Sequence, residues 1–165
     1  MIHYTFFNSP VGRISIAKSE RGICRIGLPG ESEDSFLAWH RKYFPGENVV
    51  KSGPALSDAV EELMRYLAGE LRVFSLALDL RTSLFRQKVL EEVRTIPYGE
   101  TASYKEIAER MGKPGAARAV GGANAHNPLP IVIPCHRVVA HDGTLGGYGG
   151  GLNLKEHLLQ LEGAP

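Results

Sequence analysis

Ser103-Tyr104-Lys105-Glu106-Ile107-Ala108-Glu109-Arg110-Met111-Gly112-Lys113-Pro114-Gly115-Ala116-Ala117-Arg118-Ala119-Val120-Gly121-Gly122-Ala123 spells two short helices across a tight turn. Ser103 is followed three residues on by Glu106, the spacing of a capping box, so a helix is predicted over Ser103 to Met111. Gly112-Lys113-Pro114-Gly115 breaks it, and Ala116 to Ala123 supplies a second helix rich in Ala and Gly. Helices joined in this way fit a helix-turn-helix, although other helical hairpins share the spacing. The charges nearby lean one way. No acid occurs between Glu109 and Asp142, where Arg110, Lys113, Arg118 and Arg137 lie with His126, His136 and His141. Such a window suits phosphate, and a chance gap in a Gly/Pro-rich segment would look the same.

Working outward, Phe85 to Ile96 reads as a helix stopped by Pro97-Tyr98-Gly99, and Leu152 to Leu161 as a final amphipathic helix. Ile131-Val132-Ile133 reads as a buried run of β type closed by Pro134. Glycines at 143, 146, 147, 149, 150 and 151 let the backbone turn tightly or approach a ligand. They follow neither phosphate-loop pattern, so a nucleotide loop is excluded. Toward the N-terminus the pattern alternates. Tyr4 and Phe6, then Val11, Ile14 and Ile16, form a predicted hairpin, and Gly22 to Leu28 a third strand with Cys24 on its apolar face. Helices are predicted over Glu31–Tyr43 and Ser57–Leu67, the second capped by Ser57 with Leu56, Val60, Leu63, Met64 and Leu67 as its stripe. The pattern changes near Leu76–Thr82. The predicted architecture is an α/β N-terminal domain (a small antiparallel sheet with helices) over residues 1–80. A mainly helical C-terminal domain with a helix-turn-helix follows over 81–165.

A chain of 165 residues with 43% hydrophobic and 22% charged residues is a globular composition, which excludes disorder and fibrous repeats. No apolar run is long enough to cross a membrane, and Asn8, Pro10 and Arg13 spoil any secretory core near the start. Two cysteines exclude a disulfide framework and point to the reducing cytoplasm. Zinc-ligand spacings of the CxxC or HxxxH kind are absent, so no metal or other cofactor is expected.

Cys135 sits in Ile133-Pro134-Cys135-His136-Arg137-Val138. A solitary cysteine is most often a small buried hydrophobe, the reading given to Cys24. Around Cys135, however, cationic and proton-accepting neighbours favour the nucleophilic thiolate. On a straight strand His136 would point away from Cys135, so it serves the thiol only if the chain bends there.

This stretch resembles the PCHRV motif of the O6-alkylguanine-DNA alkyltransferases, the methylated-DNA–protein-cysteine methyltransferases. Pro97-Tyr98-Gly99-Glu100-Thr101, Ala117-Arg118-Ala119-Val120-Gly121-Gly122-Ala123, Asn127-Pro128, Tyr148-Gly149-Gly150-Gly151 and Leu161-Glu162-Gly163 follow the same family's order. The resemblance covers about residues 84–163. It implies a DNA repair protein that flips an alkylated guanine out of double-stranded DNA, with O4-alkylthymine as the alternative substrate. The alkyl group passes irreversibly to Cys135, once per molecule.

By the same resemblance His136, through a water, and Glu162 take the thiol proton, Tyr104 donates to the leaving base, and Asn127 braces the site. Arg118 fills the vacated stack, with Ala117, Gly121 and Gly122 allowing close approach to DNA. Ser103 and Lys113 are expected at phosphates, and Val138, Tyr148 and Gly149 wall the base pocket. No membrane and no obligate protein partner is implied. Two departures stand out: Leu84-Phe85-Arg86-Gln87 replaces a usual Pro-Phe-Gln, and Gly149 stands where Ser or Ala occurs. Two rivals remain at this point. A lesion sensor would lack the acceptor cysteine, which is present here, and a cysteine hydrolase would leave Arg118 without a role.

Overall fold

The computed structural model describes all residues 1–165, which divide into two compact units, Met1–Arg81 and Thr82–Pro165.

In the first unit, strands β1 (Ile2–Ser9) and β2 (Gly12–Lys18) form the hairpin, and β3 (Ile23–Gly27) pairs antiparallel with β2. Helix α1 (Glu33–Tyr43) follows, capped by Ser32, whose side chain accepts from the Ser35 N–H. It carries the chain across to β4 (Val49–Lys51), which pairs parallel with β1. The sheet order is therefore β3-β2-β1-β4 and the sheet is mixed, where the sequence predicted antiparallel strands only. Three residues with no turn signal of their own gave no warning of β4. Phe36 and Phe44 bury against Ile2, Tyr4, Ala17 and Cys24.

Helix α2 (Ser57–Leu67) starts from a single 3-10 turn, Pro54–Leu56, and not from a Ser57 cap. Ser57 Oγ turns back to donate to the Pro54 carbonyl at 3.2 Å. The buried stripe is Ala59, Leu63, Tyr66 and Leu67, which leaves Met64 exposed; the predicted stripe is rotated because Tyr66 outweighs Met64 in burial.

In the second unit, α3 (Leu84–Arg94) is capped by Ser83 and buries Val89, Leu90 and Val93. Strand β5 (Ala102–Ser103) leads directly into α4 (Tyr104–Arg110). The capping box forms as predicted: Ser103 Oγ accepts from the Glu106 N–H at 3.0 Å and Glu106 Oε1 accepts from the Ser103 N–H at 3.4 Å. A 3-10 turn at Pro114–Ala116 precedes α5 (Ala117–Ala125), which packs on α3 and α4. Ile131-Val132-Ile133 is buried as predicted but is not a strand. Ile131 adopts φ 75°, left-handed backbone that a β-branched residue seldom enters, and this bends the run into a turn. The strand lies further on: β6 (Val138–Val139) pairs parallel with β5. Helix α6 (Leu152–Leu161) closes the unit, burying Lys155, Leu158 and Leu159. No helix is long and apolar enough to cross a membrane.

Candidate active site at Cys135

Cys135, His136 and Arg137 form one 3-10 turn between Pro134 and β6, and all three side chains are buried. This turn supplies the bend that the sequence left open. Cys135 N–H donates to the Ile133 carbonyl at 2.8 Å. The Asn127 amide donates to that same carbonyl at 2.9 Å, while Asn127 Oδ1 accepts from the Leu129 N–H at 2.9 Å. Asn127 thus ties the end of the helical pair to the segment entering the cysteine.

Burial, with 4% of Cys135 exposed, raises its thiol pKa above the ordinary value. Asn127, the charge of Lys155 and the Tyr148 hydroxyl pull in the other direction without overcoming it. Removal from water is the largest effect and outweighs the neighbours, so the resting group is a thiol that needs a base.

That base is at hand. His136 is completely buried and its Nε2 lies 2.8 Å from Glu162 Oε2. Burial lowers its pKa, outweighing the carboxylate, so the imidazole is neutral. A neutral ring that donates Nε2–H to Glu162 keeps Nδ1 as the basic nitrogen. Glu162 is held from every side. Arg137 Nε reaches Oε1 at 2.8 Å and its terminal nitrogen reaches Oε2 at 2.9 Å, while Gly99 N–H donates to Oε1 at 3.2 Å. The other Arg137 terminal nitrogen donates to the Ile96 carbonyl at 2.7 Å. Gly99 sits at φ +80°, and a Cβ there would stand 3.1 Å from the Glu162 carbonyl. The turn Pro97-Tyr98-Gly99 therefore needs its glycine.

Lys155 is fully buried and donates to the carbonyls of Val138 at 2.6 Å, Leu145 and Gly147 at 3.1 Å. Burial brings its pKa down to about 8. Tyr104, at the start of α4, donates to the Gly147 carbonyl at 3.5 Å, and the Lys155 ammonium lies 6.0 Å from its ring. Desolvation and the nearby Cys135 raise the Tyr104 pKa, which keeps its phenol protonated. Val138 is buried, with its carbonyl on Lys155, while Tyr148 is half-buried and Gly149 exposed.

On α5, Arg118 and Gly122 are exposed, and Ala117 and Gly121 half-buried. A Cβ at Gly122 would meet nothing within 4 Å, and one at Gly121 would touch the Tyr104 ring at 3.8 Å. Lys113 is exposed, its ammonium 5.5 Å from the Phe85 ring. Ser103 stands apart from this surface, 7% exposed with its hydroxyl used by the helix cap. No cluster of three or more His, Cys, Asp or Glu side chains is close enough to hold a metal ion. Sequence reasoning took Arg137 only as a cation beside the thiol and in the basic window, and gave no role to Lys155. Their partners lie 25 and 41 residues away for Arg137 and up to 17 for Lys155, and no local pattern announces a buried cation.

A helix-turn-helix that shares one unit with a buried cysteine, backed by a histidine–carboxylate–arginine network, defines a nucleophilic protein of the DNA-binding kind. Residues 2–80 match the ribonuclease-like domain, and residues 84–164 the DNA binding domain, of 6-O-methylguanine DNA methyltransferase. The chain belongs to this family, the methylated-DNA–protein-cysteine methyltransferases. It is 46% identical over 163 residues to the family member of Mycolicibacterium paratuberculosis, covering 98% of this chain and 93% of the relative. The Mycobacterium tuberculosis OGT, solved in complex with DNA, superposes with a TM-score of 0.85 at 43% identity, over 99% of this chain and 95% of that one. The O6-methylguanine-DNA methyltransferase of Pyrococcus kodakaraensis gives 0.72 at 29% identity, over 99% and 100%.

Proposed function

We propose that this protein repairs O6-alkylguanine in double-stranded DNA by moving the alkyl group to Cys135, once per molecule. The observation that carries the reading is the buried cysteine beside a neutral histidine whose far nitrogen is locked on Glu162. DNA as partner is supported by the complex of the tuberculosis relative.

His136 takes the thiol proton through a water, and Glu162, neutralised by Arg137, stabilises the imidazolium that forms. The thiolate sulfur attacks the alkyl carbon as the carbon–O6 bond breaks, and the bonding electrons leave with the guanine. Tyr104, whose phenol is protonated at rest, gives its proton to the departing base and is made good by the proton that left Cys135, released from His136 to solvent. The product is a thioether, which has no good leaving group, so one molecule acts once.

A stacked base hides its O6 substituent, so the nucleotide is flipped out at a cost of a few kcal/mol. Exposed Arg118 enters the vacated stack, with Ala117, Gly121 and Gly122 allowing α5 to approach the duplex. Val138, Tyr148 and Gly149 wall the pocket. Asn127 braces the cysteine from the helical side. Lys113 meets a phosphate, and Ser103, whose hydroxyl and N–H are both taken by the capping box, contributes through the helix start it caps. The setting is the cytoplasm, in keeping with two free thiols.

The test is intact-protein and peptide mass spectrometry after incubation with a duplex carrying one O6-methylguanine. One methyl on the Cys135 peptide, saturating at one per protein, is expected. Tight lesion binding with no mass change would instead make the protein a sensor.

A further inference from the structure

Helix α5 buries Val120, Ala123 and Asn124. An amide among apolar positions is a poor helix former and costly to bury unless it is bonded. Asn124 is 5% exposed, and its Oδ1 finds no hydrogen-bond partner. What its burial achieves lies on the other side: Nδ2 donates to the Cys135 carbonyl at 3.1 Å. That carbonyl also accepts from the Val138 N–H, which closes the 3-10 turn. Upstream, the Ile133 carbonyl accepts from both Cys135 N–H and Asn127. Two asparagines three residues apart thus hold the carbonyls on either side of the nucleophile, and Asn124 does so from within the helix that carries Arg118.

We propose that Asn124 is a positioning residue for the nucleophile: its amide pins the Cys135 carbonyl to α5 and so fixes the direction in which the thiol points. The inference rests on Cys135 being the alkyl acceptor. A thiol must lie in line with the bond it breaks, and small errors in aim are costly. The same N–H also offsets the negative end of the carbonyl dipole next to the sulfur.

Asn124→Leu removes the donor at similar volume. Its limiting rate of methyl transfer from duplex DNA is expected to fall on the order of tenfold or more, with the half-saturating DNA concentration unchanged. Carboxamidomethylation of Cys135 by iodoacetamide, read at the peptide level, is expected to shift to higher pH. Asn124→Asp adds a signature that a purely structural role would not give. Its ionised carboxylate cannot donate, whereas the protonated acid can, so its transfer rate relative to wild type recovers as the pH is lowered through its titration.

Wild-type rate and pH profile in folded Asn124→Leu would overturn the proposal, and so would an Asn124→Asp variant slowed equally at every pH. If Asn124→Leu does not fold, the acid recovery of Asn124→Asp decides alone. If the wild-type protein accepts no methyl, the repair reading falls, while the iodoacetamide profile still judges the effect of Asn124 on the thiol.

Discussion

Cys24 and Cys135 are both buried, one in each unit, yet the groups around them have opposite electrostatic character. Cys24 is wholly enclosed on β3, and burial together with the nearby Asp79 carboxylate pushes its thiol up to about 12. Cys135 is also raised by burial, but an amide, a lysine and a phenol pull against that rise. The two buried histidines divide similarly. His40 hydrogen-bonds the Phe36 carbonyl at 2.8 Å amid Phe36, Trp39 and Phe44 and serves packing, whereas His136 faces a carboxylate. Burial is common to both units. What separates a filler from a nucleophile is which polar groups are buried alongside it.

The sharpest way to break this comparison is to remove each thiol. Cys135→Ala is expected to abolish methyl transfer while DNA binding persists. Cys24→Ala is expected to transfer a full equivalent and to lose only stability through the small cavity it leaves. Methyl transfer that survives loss of Cys135 would end the distinction between them.

Next come the carboxylates. Glu162→Gln leaves the buried Arg137 cation without its counter-charge, and the expected loss is about 3–5 kcal/mol in chemical denaturation. Glu31→Gln breaks a more open pair with Arg25, whose side chains are 13% and 21% exposed, and is expected to cost about 1 kcal/mol. Equal losses would mean that the site network carries no special weight.

The smallest expected effect is on pH. Both histidines have pKa values lowered by burial and stay neutral in the folded protein, so only the unfolded chain gains their protons as the pH drops below 6.5. Stability is therefore expected to fall with acidification from there, until the pH passes below the folded-state values. Trp39, the single tryptophan, packs 5.0 Å from His40 and reports the first unit by fluorescence. His40→Leu should flatten the acid dependence of its urea midpoint. The activity profile, set by His136, should be unmoved.

Local signals were readable in the sequence and distant ones were not. The capping box at Ser103 and Glu106 is complete within four residues and announces the first helix of the pair, and the Gly112–Gly115 break with the Ala/Gly run announces the second. The three long strands follow from alternation. Strand β4 and the two-residue pair β5–β6 are too short to show a period, and their partners are distant. The left-handed turn at Ile131 was illegible because its residue type argues for a strand. Cys135 stood out by its basic neighbours, whereas the relay roles of His136 and Glu162 came from a family pattern and not from spacing. Arg137, Lys155 and Asn124 acquire their meaning only once folding brings their partners alongside.

Ser103 is at once the second residue of β5 and the N-cap of α4. Its strand partner, Val139, lies two residues beyond the turn that holds Cys135. The chain has no slack at that point. One residue inserted between Ala102 and Tyr104 would put either the pairing or the cap out of step and shift the helix against the thiol. One inserted in the exposed turn at Asp142–Thr144 would be absorbed there. Length variation among descendants of this sequence should gather in that turn and spare the other, so the pattern of gaps would outline the reactive site even where residue identities drift.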